Sequence, residues 1–179
     1  VYASSFPKLL IENRLKEFGK LDSINLLELD SAQNLLLENF LPYRLAVTSN
    51  TISTTLARAY DKRFNVSIPE WRVIAVLGRF PGLSAVEVAE RTLMDKVAVS
   101  RAVTKLIKNG RIAREFADTD KRRSILNLSI IGKELHDKIA VLALEFEKEL
   151  KQEFSSEEME NLNRAMEKLL VRASLIGSP

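Results

Sequence analysis

Between Lys96 and Arg123 the chain carries Lys96, Ser100, Arg101, Thr104, Lys105, Lys121, Arg122 and Arg123, basic and hydroxyl side chains in two clusters. Wound at a helical period, Lys96 to Asn109 turns Val99, Val103, Leu106 and Ile107 to one side. Lys96, Val97, Ala98, Ser100, Arg101, Thr104 and Lys105 are left on the other. Ala98, Ser100 and Thr104 add no bulk there, which suits a helix that must enter a groove about 12 Å wide. The Arg101 guanidinium has the fork that pairs a guanine edge, and Ser100 can bond a base edge or a phosphate. Lys96 and Lys105 suit phosphates, which position a protein without reading sequence. Lys121, Arg122 and Arg123 fall in ADTDKRR, a turn between two strand-like runs. From such a tip, Arg can reach a minor groove, where the negative potential favours it. Asp120 is the acid of that set, and its carboxylate can hold the Arg122 guanidinium in one pose. Asp118 shapes the turn.

These side chains need a frame, and the neighbouring sequence supplies one. Ser84 caps a helix and Glu87, three residues on, completes a capping box; Val86, Val88 and Ala89 are its apolar positions. Leu93 packs the connection, Asp95 caps the next helix, and Gly110 stops it. Ile112–Phe116 and Ser124–Leu128 read as two strands around the basic turn. The stretch from Ser84 to Gly132 is thus laid out as a helix-turn-helix followed by a β-wing.

Around it the pattern is helical. Asn39 can cap a helix reaching Phe64, with Pro42 in its first turn. Leu45, Ile52, Leu56 and Tyr60 form its stripe, with Phe40, Val47 and Ala59 beside it, and Asn65 and Val66 end it. Pro69 opens a second helix with Trp71, Ile74, Ala75, Leu77 and Gly78 on its buried face, closed by Pro81-Gly82. A lone Trp on such a face is ordinarily core. Lys133 to about Phe154 is helical through Leu135, Ile139, Leu142, Phe146 and Leu150. Ser155 and Glu158 cap a last helix with Met159, Leu162, Met166, Leu169, Leu170 and Ala173 as its stripe. The first residues read least clearly: Phe6–Phe18 patterns as a short amphipathic helix ended by Gly19 and Leu-rich Asn25–Leu37 as an arm for a partner subunit, the alternative being a loosely ordered tail.

The totals narrow the classes. The 179 residues fit one domain with accessory helices, and there is no Cys, so disulfides, thiolate metal sites and cysteine redox sensing are excluded. The sole His, His136, sits in a charged helical segment and reads as solvated. No His-rich metal site and no cofactor is expected. Net charge is only +3, but it is polarised. Val88–Ser124 holds ten Lys/Arg against five Asp/Glu, whereas Lys133–Val171 holds six against ten. The basic middle is where a polyanion would bind. No run of apolar residues is long enough for a membrane span, and the N-terminus is a poor signal peptide; a cytoplasmic location is expected. The chain opens on Val1 rather than Met, which leaves room for residues upstream. No nucleophile–base set and no phosphate-cradling Gly-rich loop is present, so an enzyme is not expected.

Two segments carry a resemblance. DKVAVSRAVTKLIKNGRIAR is similar to the recognition helix, glycine and first wing strand of the multiple-antibiotic-resistance-regulator (MarR) family. Asp120-x-Arg122, five residues, then Leu128-Ser129-x-x-Gly132 matches that family's wing pattern, with Ser129 in place of the usual Thr. The resemblance spans Asn39 to Ser174 and implies a mainly α winged helix-turn-helix fold with a small β-wing, flanked by N- and C-terminal dimerisation helices. The expected division is a 1–38 extension that can join the dimer interface, a 39–66 dimerisation or core helix, a 67–132 winged helix-turn-helix and 133–179 dimerisation helices.

It implies a homodimer on double-stranded DNA at a pseudo-palindromic operator, with recognition helices in major grooves about 10 bp apart. It also implies repression relieved by a small aromatic or phenolic effector. The cleft for such an effector would lie near Tyr43, Arg44, Asn50, Trp71 and Arg72. The competing reading is a winged-helix protein-interaction module without DNA binding, since fold does not dictate function. The basic middle and the slim helix face argue against it.

Overall fold

The computed structural model describes residues 35–117 and 120–176, and of residues 116, 117 and 120–123 the backbone alone. The expected Phe6–Phe18 helix, most of the Asn25–Leu37 arm and Asp118 lie outside the described residues. Six helices and two strands follow in order: α1 (Leu41–Phe64), α2 (Ile68–Arg79), α3 (Ala85–Thr92), α4 (Lys96–Lys108), β1 (Ile112–Ala117), β2 (Asp120–Leu128), α5 (Ile130–Lys151) and α6 (Ser156–Ile176). This is the mainly helical fold with a two-stranded wing that the sequence predicts. No helix among the described residues is long and apolar enough to cross a membrane.

The chain forms two compact units. One spans Leu45–Leu150; the other takes the described residues before it, with Lys151 onward. The core of the larger unit is continuous from α1 to α5: Ala57 and Tyr60 from α1, Val73, Ile74 and Leu77 from α2, Val88 and Ala89 from α3, Val99, Ala102, Val103 and Leu106 from α4, Ile112, Leu126 and Leu128 from the wing, Leu135 and Ile139 from α5. The winged helix-turn-helix therefore shares one core with much of α1 and α5.

Local chemistry explains where the elements stop. Asn65 takes φ +50° directly after α1, the left-handed conformation that Asn tolerates better than most residues. α4 ends in a Schellman motif: the Gly110 N–H donates to the Ile107 carbonyl at 2.9 Å, and the Arg111 N–H to the Leu106 carbonyl at 2.9 Å. Gly110, at φ +67°, meets that conformation without a Cβ penalty. The wing is antiparallel, pairing Ile112 with Leu128 and Phe116 with Ser124. The loop before α3 joins it: Leu126 N–H donates to the Leu83 carbonyl at 2.8 Å, a bridge that local periodicity does not reveal.

Several expected details differ. α1 begins at Leu41: Phe40 is the residue whose carbonyl accepts the first helical bond, from the Arg44 N–H at 3.1 Å, and Asn39 lies in the preceding turn, its N–H on the Leu36 carbonyl at 2.9 Å. On α1 it is Ala57, not Ala59, that is buried, and Leu45 is exposed. On α2 the buried positions are Glu70, Val73, Ile74 and Leu77, while Gly78 is exposed. Val86 faces outward from α3. Leu93 does not pack the turn: it takes φ +51° and is 80% exposed, and Met94 packs against the core instead. β2 starts at Asp120 rather than Ser124, and α5 begins at Ile130 and ends at Lys151. In the smaller unit, Ser155 and Glu158 form the expected capping box, with the Ser155 N–H on Glu158 Oε2 at 2.8 Å and the Glu158 N–H on Ser155 Oγ at 3.2 Å.

Candidate nucleic-acid interface

α4 is built to present one face. Val99, Ala102, Val103 and Leu106 are buried against the core, and Lys96, Val97, Ser100, Arg101, Thr104 and Lys105 are exposed, with Ala98 half-buried. The Asp95 carboxylate fixes the first turn, accepting from the Val97 N–H at 2.9 Å and the Ala98 N–H at 3.1 Å. Two donors that would otherwise hang unpaired at the helix start are thereby satisfied. The Thr104 hydroxyl donates to the Ser100 carbonyl at 2.8 Å. Its proton is used within the helix, so toward a base edge Thr104 offers lone pairs and a methyl group.

The cations are not equivalent. Among the described residues no partner holds Lys96 or Arg101, whereas Lys105 Nζ lies 3.0 Å from Glu70 Oε2. Arg111 is spent at the end of α1, donating from Nη1 to the Asn65 carbonyl at 3.0 Å and from Nη2 to the Phe64 carbonyl at 2.6 Å. A guanidinium there meets the negative end of the helix dipole. Arg91 stacks over the Phe80 ring, 4.1 Å from its centroid. Counting charge along the sequence treats all of these as available to a polyanion; their contacts do not.

Sequence reasoning missed Glu70. Its residue is 1% exposed, at the third position of α2, and it reaches back to the residue that caps that helix. Oε2 accepts from the Ser67 N–H at 2.9 Å, the Ser67 hydroxyl at 2.6 Å and Lys105 at 3.0 Å. Oε1 is buried without a hydrogen-bond partner among the described residues. Burial pushes this carboxyl up, but the Ser67 hydroxyl and N–H and the Lys105 ammonium outweigh it and hold it below the usual carboxylate value. The Ser-x-x-Glu spacing of Ser67 and Glu70 was the available signal, the same one that marked Ser84 and Glu87.

The wing is anchored to α4 by a small polar knot. Ser129 Oγ donates to the Gly110 carbonyl at 2.6 Å and accepts from the Gly132 N–H at 3.0 Å, while the Ser129 N–H donates to the Arg111 carbonyl at 3.1 Å. Ser129 thus caps α5, the role its place in the wing pattern predicts. Gly132 lies so close to Arg111 that a Cβ would overlap the Arg111 carbonyl oxygen. Along the strands, Ala117 pairs with Asp120 and Phe116 with Ser124, so β2 carries Lys121, Arg122 and Arg123 as extra residues between those pairs. The expected basic tip is therefore a strand irregularity at the end of the wing. The side chains of Asp120, Lys121, Arg122 and Arg123 lie outside the described residues.

The candidate effector residues divide. Trp71 is half-buried between two rings, with its centroid 6.0 Å from Tyr60 and 6.0 Å from His136. Arg72 Nη2 makes a long 3.4 Å bond to Ser53 Oγ. Asn50 is exposed on α1, and Tyr43 and Arg44 are exposed in the smaller unit. His136 is not the solvated residue expected: its side chain is 26% exposed, its Nδ1 lies 2.9 Å from Asp137 Oδ1, and its ring fills the space a Cβ on Gly78 would take. Burial and the nearby Asp61 raise the Tyr60 phenol to about 12, with Arg72 acting the other way. Among the described residues no group of three or more His, Asp or Glu is placed to hold a metal ion.

The sequence model described as MarR family matches residues 64–123, from the end of α1 through α4 and β1 into the first residues of β2. The chain is 30% identical over 116 residues to the HTH-type transcriptional regulator BilQ of Clostridium symbiosum, covering 65% of this chain and 81% of that protein. It is 21% identical over 113 residues to the homoprotocatechuate degradative operon repressor of Escherichia coli, covering 63% and 76% respectively. A MarR/EmrR family transcriptional regulator from Acinetobacter sp. ADP1 superposes with a TM-score of 0.68 at 29% identity, over 85% of this chain and 99% of that one. The chain belongs to the MarR family of transcriptional regulators, which are not enzymes.

Proposed function

We propose that this protein is a homodimeric, sequence-specific DNA-binding repressor that acts at a pseudo-palindromic operator and releases it on binding a small aromatic or phenolic effector. The observation that carries the DNA reading is the exposed face of α4: Lys96, Ser100, Arg101 and Thr104 stand clear of the core on a helix whose start is pinned by Asp95. Small side chains let such a helix approach base edges, and Arg101 is the natural reader of guanine. Lys121, Arg122 and Arg123 at the end of the wing would add phosphate or minor-groove contacts, with Asp120 orienting Arg122.

The dimer reading rests on apolar surface. No residue of α6 is buried, and Leu162, Met166, Leu169 and Leu170 along it are exposed, as are Leu35, Leu36, Leu37, Phe40 and Leu41. A helix that leaves its apolar stripe uncovered offers it to a partner. The effector class is the one the family resemblance implies, and a relative named as the repressor of a homoprotocatechuate degradative operon supports it. Asn50, Trp71 and Arg72 are the residues of the larger unit assigned to it. The discriminating experiment is Arg122→Ala in a gel-shift titration with sedimentation alongside. The expected result is at least several-fold weaker duplex binding by an intact dimer; unchanged affinity would refute the wing assignment.

A further inference from the structure

Lys105 stands on the outward face of α4, where a lysine is expected to take a phosphate. Its ammonium is instead 3.0 Å from a carboxylate that is itself 1% exposed. That carboxylate is held from α2 by the Ser67 N–H and hydroxyl at 2.9 and 2.6 Å, so it cannot follow Lys105 outward without undoing the start of α2. Its second oxygen, Oε1, is buried with no hydrogen-bond partner among the described residues. A lysine that left this site would strand a buried carboxylate without its counter-charge, which is far costlier than losing a surface ion pair. A phosphate at the rim of the interface, screened by water, offers Lys105 less in return.

We propose that Glu70 is a positioning residue for the recognition helix: it keeps the Lys105 ammonium on α2 and withholds that charge from the DNA phosphates. The inference rests on the DNA-binding reading of α4. In this arrangement Lys105 acts as a strut. It sets the pitch of α4 against α2 and leaves Lys96, Arg101 and Lys108 as the exposed cations of α4 without such a partner among the described residues. The same helix α2 carries Trp71, packed against Tyr60 and His136, in the residue next to Glu70.

The test is the salt dependence of duplex binding, because each phosphate neutralised by a protein cation contributes about 0.9 to the slope of log K against log salt. Wild type, Lys105→Gln, Glu70→Gln and the double variant are compared on one duplex, with circular dichroism and thermal melting to establish that each is folded. The expected result is a Lys105→Gln slope equal to that of wild type, a Glu70→Gln slope steeper by about 0.9 as the freed lysine finds a phosphate, and a double variant back at the wild-type value. A Lys105→Gln slope shallower than wild type by about 0.9 would place Lys105 on a phosphate and overturn the proposal. A folded Glu70→Gln with the wild-type slope would overturn it as well. If Glu70→Gln fails to fold, the Lys105→Gln comparison alone decides. Failure of wild type to bind any duplex at low salt would instead sink the DNA-binding reading on which the proposal stands.

Discussion

Gly132→Ala tests the joint between α4, the wing and α5. Replacing Gly by Ala in a helix ordinarily stabilises by about 1 kcal/mol, because Gly has more backbone freedom to lose. Here the sign should reverse. The new Cβ would fall on the Arg111 carbonyl oxygen, a backbone atom that cannot swing aside, so Arg111 and α5 must separate. That separation disrupts the Ser129 N–H bond to Arg111 at 3.1 Å, the Ser129 hydroxyl bond to Gly110 at 2.6 Å and the cap on Gly132 at 3.0 Å. At about 1 kcal/mol per hydrogen bond, the three outweigh the helix-propensity gain and leave a net loss of about 2 kcal/mol. For a chain of this size that corresponds to a melting temperature lower by roughly 4–8 °C, measured at fixed protein concentration. Gly78→Ala is the control. Its Cβ would come within 2.5 Å of the His136 ring, but that ring is the far end of a side chain that can rotate into solvent. It should change stability by less than about 1 kcal/mol in either direction. A Gly132→Ala protein as stable as wild type, or more so, would refute the reasoning.

Two further substitutions probe single contacts. Asp95→Ala removes the cap from α4 and should cost about 1 kcal/mol in urea denaturation, whereas Asp95→Asn, which can still cap, should stay within a few tenths; equal loss in both would point to the charge rather than the cap. The Tyr60 phenol, raised to about 12 from the ordinary 10.0, favours the folded state fully below pH 10, and that contribution is lost as pH rises through 12. Chemical denaturation across pH 9–12 should therefore show a shallower alkaline decline in Tyr60→Phe than in wild type, and parallel curves would contradict the assignment.

What was legible in the sequence was local. Asp95 and Gly110 bound α4 through contacts within a few residues, so their types and spacing announce them. The inward stripe of α4 was readable for the same reason, although Ala102, small enough to pass for an outward residue, joins it. The pairs that tune the site were not readable, because they form only when helices dock. Glu70 meets Lys105 across 35 positions, and Arg111 meets Phe64 across 47. No periodicity encodes either, and each removes a cation from the face on which charge counting had put it. His136 looked solvated among charged neighbours, yet the missing Cβ of Gly78 lets its ring settle beside Trp71. Gly132 was recognisable as a letter of the wing pattern; its reason, the approach of the Arg111 carbonyl, appears only once β1 and α5 are adjacent.

The claim that α4 and the wing read DNA as one half of a two-lobed dimer is tested most directly by selecting bound duplexes from a random pool and footprinting the winners. The expected result is a pseudo-palindromic sequence with two protected half-sites about 10 bp apart, and loss of the selected guanine preference in Arg101→Ala. A pool that yields no retained duplex at low salt, or one whose selected sequence is unchanged by Arg101→Ala, would contradict it.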